Sequence, residues 1–172
     1  RAVFAGADDR HGAPFLLVNN AGVGQATPLE QVTLAAWNRI MAVNLTGAFL
    51  CAREAFVRMK AAGGGRIVSI GSISARVPRD EAIAYNASKY ALEGMTRSLA
   101  IEGRAHLVTA TCIHPGATRS DFAPGRTDRL EGDCLLPEHI GQLVVYAARL
   151  PRDCALLDAT VIPVRVPFLA RG

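Results

Sequence analysis

The stretch FLLVNNAG, residues 15–22, decides how the chain is read. FLLV is a continuous apolar run, without the in–out alternation of a strand that wets one face. Such a run suits a strand buried on both sides, as in a parallel sheet covered by helices. It stops at Asn19, Asn20, Ala21 and Gly22, polar and small residues that fit a strand end approached by a loop or a ligand. An amide at Asn20 can tie neighbouring loops together, and a side chain at Gly22 would crowd a close ligand.

Outward from this strand, helical and strand patterns alternate. LAAWNRIMAVNLTGAFLCAREAFVRMKAA (34–62) reads as a long helix, with Thr33 as its N-cap and Gly63, Gly64 and Gly65 to end it. RIVSI (66–70) reads as the next strand, and residues 83–102 as a second long helix. HLVTATCI (106–113) makes a third strand, stopped by His114, Pro115 and Gly116. A shorter helix follows Pro137, and ATVIPV (159–164) closes the series as a strand. This alternation predicts an α/β fold, a parallel sheet with helices on both faces and right-handed crossovers. Pro163 places the last strand at an edge. In such sheets functional residues gather at the carboxyl ends of the strands. The polar and glycine-containing stretches 19–22, 71–74 and 115–121 lie in those places.

Composition sets bounds. The 172 residues are near the length of one domain, and half are hydrophobic, enough for a core. The net charge of +4 is mild. The basic groups Arg66, Arg76, Arg79 and Arg119, Arg126, Arg129 do not interleave with aromatic residues, which argues against a nucleic-acid surface. Cys51, Cys112, Cys134 and Cys154 form no C-x-x-C pair and no zinc spacing with His11, His106, His114 or His139. They read as reduced thiols of a cytoplasmic protein, with no metal site. No unbroken apolar run approaches the ~20 residues of a membrane span, and no signal-peptide pattern opens the chain.

The chemistry concentrates in YNASK (85–89). Tyr85 and Lys89 share a helix face one turn apart. An ammonium beside a phenol favours the phenolate, and a phenol so tuned can exchange a proton with a carbonyl or alcohol oxygen. Ser72 lies just past the second strand, thirteen positions before Tyr85, where its hydroxyl can polarise a carbonyl or merely cap backbone. Asn44 sits inside the long helical pattern, a poor place for asparagine unless its amide has a specific partner. His114 before a proline is a strand-end residue that faces either backbone or substrate. Cys112 belongs to the core.

NNAG (19–22), VNLTG (43–47), Ser72, YNASK and Pro115-Gly116, in this order and spacing, resemble the short-chain dehydrogenase/reductase family. The likeness runs over residues 15–121, more weakly to 166. It implies a Rossmann-like doubly wound parallel sheet, of which this chain carries the C-terminal part, about four strands with flanking helices. It also implies an NAD(P)-dependent oxidoreductase that moves a hydride between the nicotinamide and a ketone or secondary alcohol, in the manner of a 3-oxoacyl reductase. NADP is slightly favoured over NAD.

By the same resemblance the catalytic residues are Asn44, Ser72, Tyr85 and Lys89. Tyr85 is the general acid of reduction, and Lys89 lowers its pKa and holds the nicotinamide ribose. Ser72 holds the substrate oxygen, and Asn44 binds a water that leads from Lys89 to solvent. The cofactor-binding residues are Asn20, Ala21, Gly22, Tyr85, Lys89, Pro115, Gly116, Thr118 and Ser120. Ser120 stands where the family usually has a threonine. Residues 117–136 would be the substrate loop, with Arg126 and Arg129 facing solvent or an anionic substrate.

The family pattern opens with a strand and a G-x-x-x-G-x-G turn that meets the pyrophosphate. No such turn occurs in these 172 residues. The resemblance therefore implies one partial domain over residues 1–172, beginning in the helix before the family's fourth strand, with FLLV as an unpaired edge. A homodimer or homotetramer is expected. Two other readings stay open: a non-catalytic, reductase-like interaction protein, and a sugar-nucleotide epimerase or dehydratase, which can share the Tyr-x-x-x-Lys pair.

Overall fold

The computed structural model describes residues 2–120 and 133–167. It opens with α1 (Ala2–His11) and β1 (Leu16–Asn19), followed by α2 (Leu34–Met41) and α3 (Ala48–Ala61). Then come β2 (Gly65–Ile70), α4 (Ile83–Gly103), β3 (Val108–Pro115), α5 (Pro137–Arg149) and β4 (Asp158–Val161). The sheet has four parallel strands in the order β1-β2-β3-β4, with Leu16 opposite Arg66, Arg66 opposite Thr109 and Cys112 opposite Asp158. β4 lies at an edge, as expected, but it ends at Val161, so Pro163 falls past the strand and does not enforce the edge.

Helices cover both faces. On one face Ala52, Ala55 and Met59 of α3 pack against Ile67 of β2 and Val108 and Ala110 of β3. Leu99 and Ala100 of α4 and Phe4 of α1 extend that core. Small alanines at 52 and 55 let α3 approach the sheet closely, and Met59 fills the remaining gap. α1 is tied to α3 by the Arg58–Asp8 ion pair, 2.6 Å. On the opposite face Ile140 and Ala147 of α5 meet Val68 and Ile113, with Leu135 between. β3 is buried along most of its length, and its small residues Ala110, Thr111 and Cys112 fit a strand squeezed between layers.

The expected helix 34–62 is present, with Thr33 capping through a bond from the Ala36 N–H to its Oγ1, 3.1 Å. Its middle turn, Ala42–Gly47, is π-helical, a widening the hydrophobic pattern does not reveal. Gly63, at φ +81°, ends it in a conformation that costs glycine little. The continuous run Leu34–Ala61 is 28 residues long with a mean hydropathy of 1.4 over its best window. By length and composition it is enough to cross a membrane, which corrects the expectation drawn from unbroken runs alone. Here its buried face packs on the sheet, and Arg39, Arg53, Glu54 and Arg58 break its apolar character. The third strand begins at Val108, two residues later than its apolar pattern suggests. His106 closes a 3-10 turn, and Leu107 turns left-handed at φ +54° before the strand can start.

Candidate active site

The site gathers at the carboxyl ends of β1, β2 and β3. Tyr85 and Lys89 project from the first turns of α4, 8% and 4% exposed. Ser72 follows β2 directly and is 8% exposed. Its hydroxyl accepts the Ser74 N–H at 3.0 Å, capping the 3-10 turn Ile73–Ala75, and also bonds the Tyr85 phenol. The backbone-capping and site-facing readings of Ser72 are thus both realised by one oxygen.

Lys89 Nζ donates to the Ile70 carbonyl at 2.8 Å and lies 5.6 Å from the centre of the Tyr85 ring. Burial pushes the ammonium down to about 8. Burial also holds the Tyr85 phenol above its usual range, against the downward pull of the Ser72 bond and the Arg79 charge. The expected phenol lowered toward neutrality is therefore not the resting state of this chain. Desolvation of a group that must become an anion outweighs the cations near it.

Asn44, 1% exposed, occupies the π-helical turn. Its Oδ1 accepts the Val23 N–H at 2.8 Å, while its Nδ2 donates to the Val23 carbonyl at 2.9 Å and to Ser88 Oγ at 3.0 Å. That answers the puzzle of an asparagine inside a helix: the amide satisfies the backbone of the loop after β1 and fixes it to α4. π-helical turns often mark such sites. Both hydrogens of the side-chain amide are thereby taken.

The loop after β1 brings Gly22 beside this cluster. A Cβ there would stand 3.6 Å from Asn44 Oδ1 and 3.7 Å from Lys89 Nζ, in ordinary contact. Asn20 and Ala21 are exposed. The tie expected of Asn20 is made instead by Asn19, whose Nδ2 donates to the Ala48 carbonyl at 3.2 Å. Asn19 is the last residue of β1, and Asn20 lies past the strand.

Pro115 ends β3, and the Gly116 N–H bonds the Val161 carbonyl at 2.7 Å. Thr118 donates its hydroxyl to the Gly116 carbonyl at 3.1 Å and pairs with Leu135. Ser120 is exposed. Most of the expected substrate loop, with Arg126 and Arg129, lies outside the described residues.

His114 does not face a substrate. It is 0% exposed, and its Nδ1 donates to the Ser72 carbonyl at 3.0 Å. Nε2 then receives the Arg76 guanidinium at 3.4 Å. Burial holds His114 below its usual range. Arg76 is in turn paired with Glu93, and with Asp158 at 3.6 Å. Two other residues gave no strong signal in sequence. Asn86 bonds both the N–H and the carbonyl of Arg79, at 3.3 and 2.7 Å, and Arg79 places its guanidinium over the Tyr85 ring, 5.2 Å from its centre.

A family model, described as short chain dehydrogenase, matches residues 1–130. The chain belongs to the short-chain dehydrogenase family. The match includes α1, so the likeness reaches further toward the first residue than the quoted motifs do. A short-chain type dehydrogenase/reductase of Picea abies is 43% identical over 129 residues, covering 73% of this chain and 48% of its relative. A 3-alpha-(or 20-beta)-hydroxysteroid dehydrogenase of Mycobacterium tuberculosis is 36% identical over 141 residues, covering 80% and 54%. Among solved structures, a metagenomic short-chain oxidoreductase in complex with NADP superposes with a TM-score of 0.80 at 31% identity, covering 95% of this chain and 67% of that one. The chain thus spans about half the length of these sequence relatives. The four-stranded parallel sheet with flanking helices is the Rossmann-like fold of the short-chain dehydrogenase family.

Proposed function

We propose that this chain carries the acid–base half of a nicotinamide-dependent oxidoreductase acting on a ketone or secondary alcohol, as a 3-oxoacyl reductase does. The observation that carries the reading is the convergence of Ser72, Tyr85 and Lys89 at the carboxyl end of β2, with the serine hydroxyl on the phenol. The nicotinamide supplies the hydride when bound. Tyr85 holds the matching proton, and Ser72 orients the substrate oxygen toward it. An oxyanion forming beside Ser72 meets a hydroxyl already fixed by the Ser74 N–H, so little reorganisation is needed.

The residues present fit the nicotinamide-ribose end of a cofactor. Lys89 spends one of its three donors on Ile70, leaving others for ribose hydroxyls. Gly22 presents no side chain beside that ammonium, and Asn44 holds the loop that carries it. Thr118 and Ser120, after Pro115-Gly116, are proposed for the carboxamide side, and Asn20 and Ala21 for the adenosine side. The glycine-rich turn that would meet the pyrophosphate is not in these 172 residues, so the proposal concerns the nicotinamide end. NADPH is favoured over NADH, in a cytoplasmic homodimer or homotetramer formed from single domains.

The test is Tyr85→Phe, assayed with NADPH and a panel of ketones, with cofactor binding followed by nicotinamide fluorescence. Turnover is expected to fall at least about 100-fold, with binding unchanged. Turnover that survives the substitution sinks the mechanism.

A further inference from the structure

Three residues apart, Arg76 and Arg79 have opposite surroundings. Arg76 is neutralised by Glu93 and Asp158. Arg79 has no carboxylate partner among the described residues, and its Nε is shielded from solvent without an acceptor. Its charge is nevertheless held in one place. Asn86, the residue after Tyr85 on α4, clamps the Arg79 backbone from both sides. Glu81 keeps the same segment in a left-handed turn at φ +49°, and its carbonyl is bonded by the Thr27 N–H at 2.7 Å. A non-glycine residue in that conformation costs energy that the surroundings must overcome. The result is a guanidinium stacked on the Tyr85 ring, 5.2 Å from its centre.

We propose that Arg79 is a positioning cation for Tyr85: its uncompensated charge on the ring face stabilises the phenolate and eases release of the Tyr85 proton. A cation over an aromatic face is attracted by the ring's negative quadrupole, and more strongly once the ring carries an anion. A guanidinium bears a permanent charge and is weakly hydrated, so it suits a stacked, half-buried position. Among the described residues, the groups that face Tyr85 include Ser72 after β2, Lys89 one turn along α4, and Arg79 from the segment before α4. Cys112 and His114 of β3 stand behind Gly71. Lys89 is turned toward the Ile70 carbonyl, so of the two described cations near the ring Arg79 is the one whose charged group is not bound to backbone. The inference rests on the acid–base reading of Tyr85 only for its catalytic meaning. The electrostatic claim can be read without turnover.

The experiment is a pH titration by NMR of the full chain labelled at tyrosine Cζ. Tyr85→Phe assigns the Tyr85 signal among the three tyrosines. In Arg79→Met the Tyr85 midpoint is expected to rise by about one pH unit, and Arg79→Lys should retain most of the native value. An unmoved midpoint in Arg79→Met overturns the proposal, as does a rise of equal size in Arg79→Lys. The latter would assign the effect to packing. If Arg79→Met fails to fold by circular dichroism, Arg79→Gln is read in the same way. A shifted midpoint beside surviving turnover in Tyr85→Phe would sink the proposed mechanism and keep this inference. An unmoved midpoint beside lost turnover would do the reverse.

Discussion

The two sides of the sheet are finished to different degrees. On the α4 side, Ser88, Glu93 and Thr96 are buried and each has a named partner: Asn44, Arg76 and Ser69. On the β1 side, Phe15 is 48% and Val18 38% exposed, and among the described strands β1 is bonded only to β2. The residues proposed for acid–base chemistry stand where the chain itself buries them. The loop proposed for the cofactor stands where the surface is open. Orientation of a proton donor needs a fixed environment within hydrogen-bond reach, and here residues from the carboxyl ends of β2 and β3 supply it.

The sharpest way to break this contrast is at Glu93. Its side chain is 8% exposed and is bonded to Arg76 and, at 2.6 Å, to Arg97. Glu93→Gln leaves Arg76 with only the 3.6 Å contact to Asp158 to offset its charge. A loss of about 3 to 5 kcal/mol is expected by urea denaturation. A loss below about 1 kcal/mol would mean that the α4 side tolerates unpaired charge as a surface does.

A second test uses pH. Lys89 falls from an ordinary 10.5 to about 8 in the folded chain because it is buried. Between those values the unfolded chain keeps a proton that the folded chain has released. Stability should therefore rise with pH across that window, by about 3 kcal/mol relative to Lys89→Met. Parallel denaturation curves from pH 7.5 to 10.5 give the comparison. A flat difference between the two proteins would show an ammonium that stays solvated. A bound cofactor that accepts from Lys89 should weaken the pH dependence by favouring the charged form.

The smallest effect belongs to β1. Val18→Lys should change stability by no more than about 0.5 kcal/mol, because the position is already partly in water. It should also lower self-association at high concentration, since a charge on an exposed edge blocks strand pairing. Sedimentation velocity at two concentrations reads this. A large loss of stability would mean that the β1 side is packed as tightly as the α4 side.

Much of the frame was legible in the pattern of residues. FLLV and RIVSI read as strands, and Thr33 and the glycines at 63–65 marked the ends of the long helix; the burial expected of both strands holds for β2, while β1, bonded on one edge, has no fully buried residue. The misplacements have local causes. Leu107 takes a left-handed turn that delays β3, and the strand-end amide that bonds a neighbouring element, the start of α3, is Asn19. Within the site, Tyr85 and Lys89 were visible because helical spacing puts them on one face. Arg79, Asn86 and His114 were not visible as a group. Their partners are set by how a loop folds back on α4 and by how β3 lies beside Ser72, 42 positions away in sequence.

The sequence by itself determined the alternation of strands and helices, the strand ends where polar residues collect, and the residue types able to hold and move a proton. Periodicity and spacing are local, so they survive without knowledge of the fold. Tertiary structure alone decided which charges are spent on one another and which remain for chemistry. Arg76 and Arg79 look alike in the chain, yet one lies within reach of Glu93 and the other stacks on Tyr85. It also decided that the phenol rests above its ordinary range, because desolvation depends on everything packed around a group and not on its neighbours in sequence.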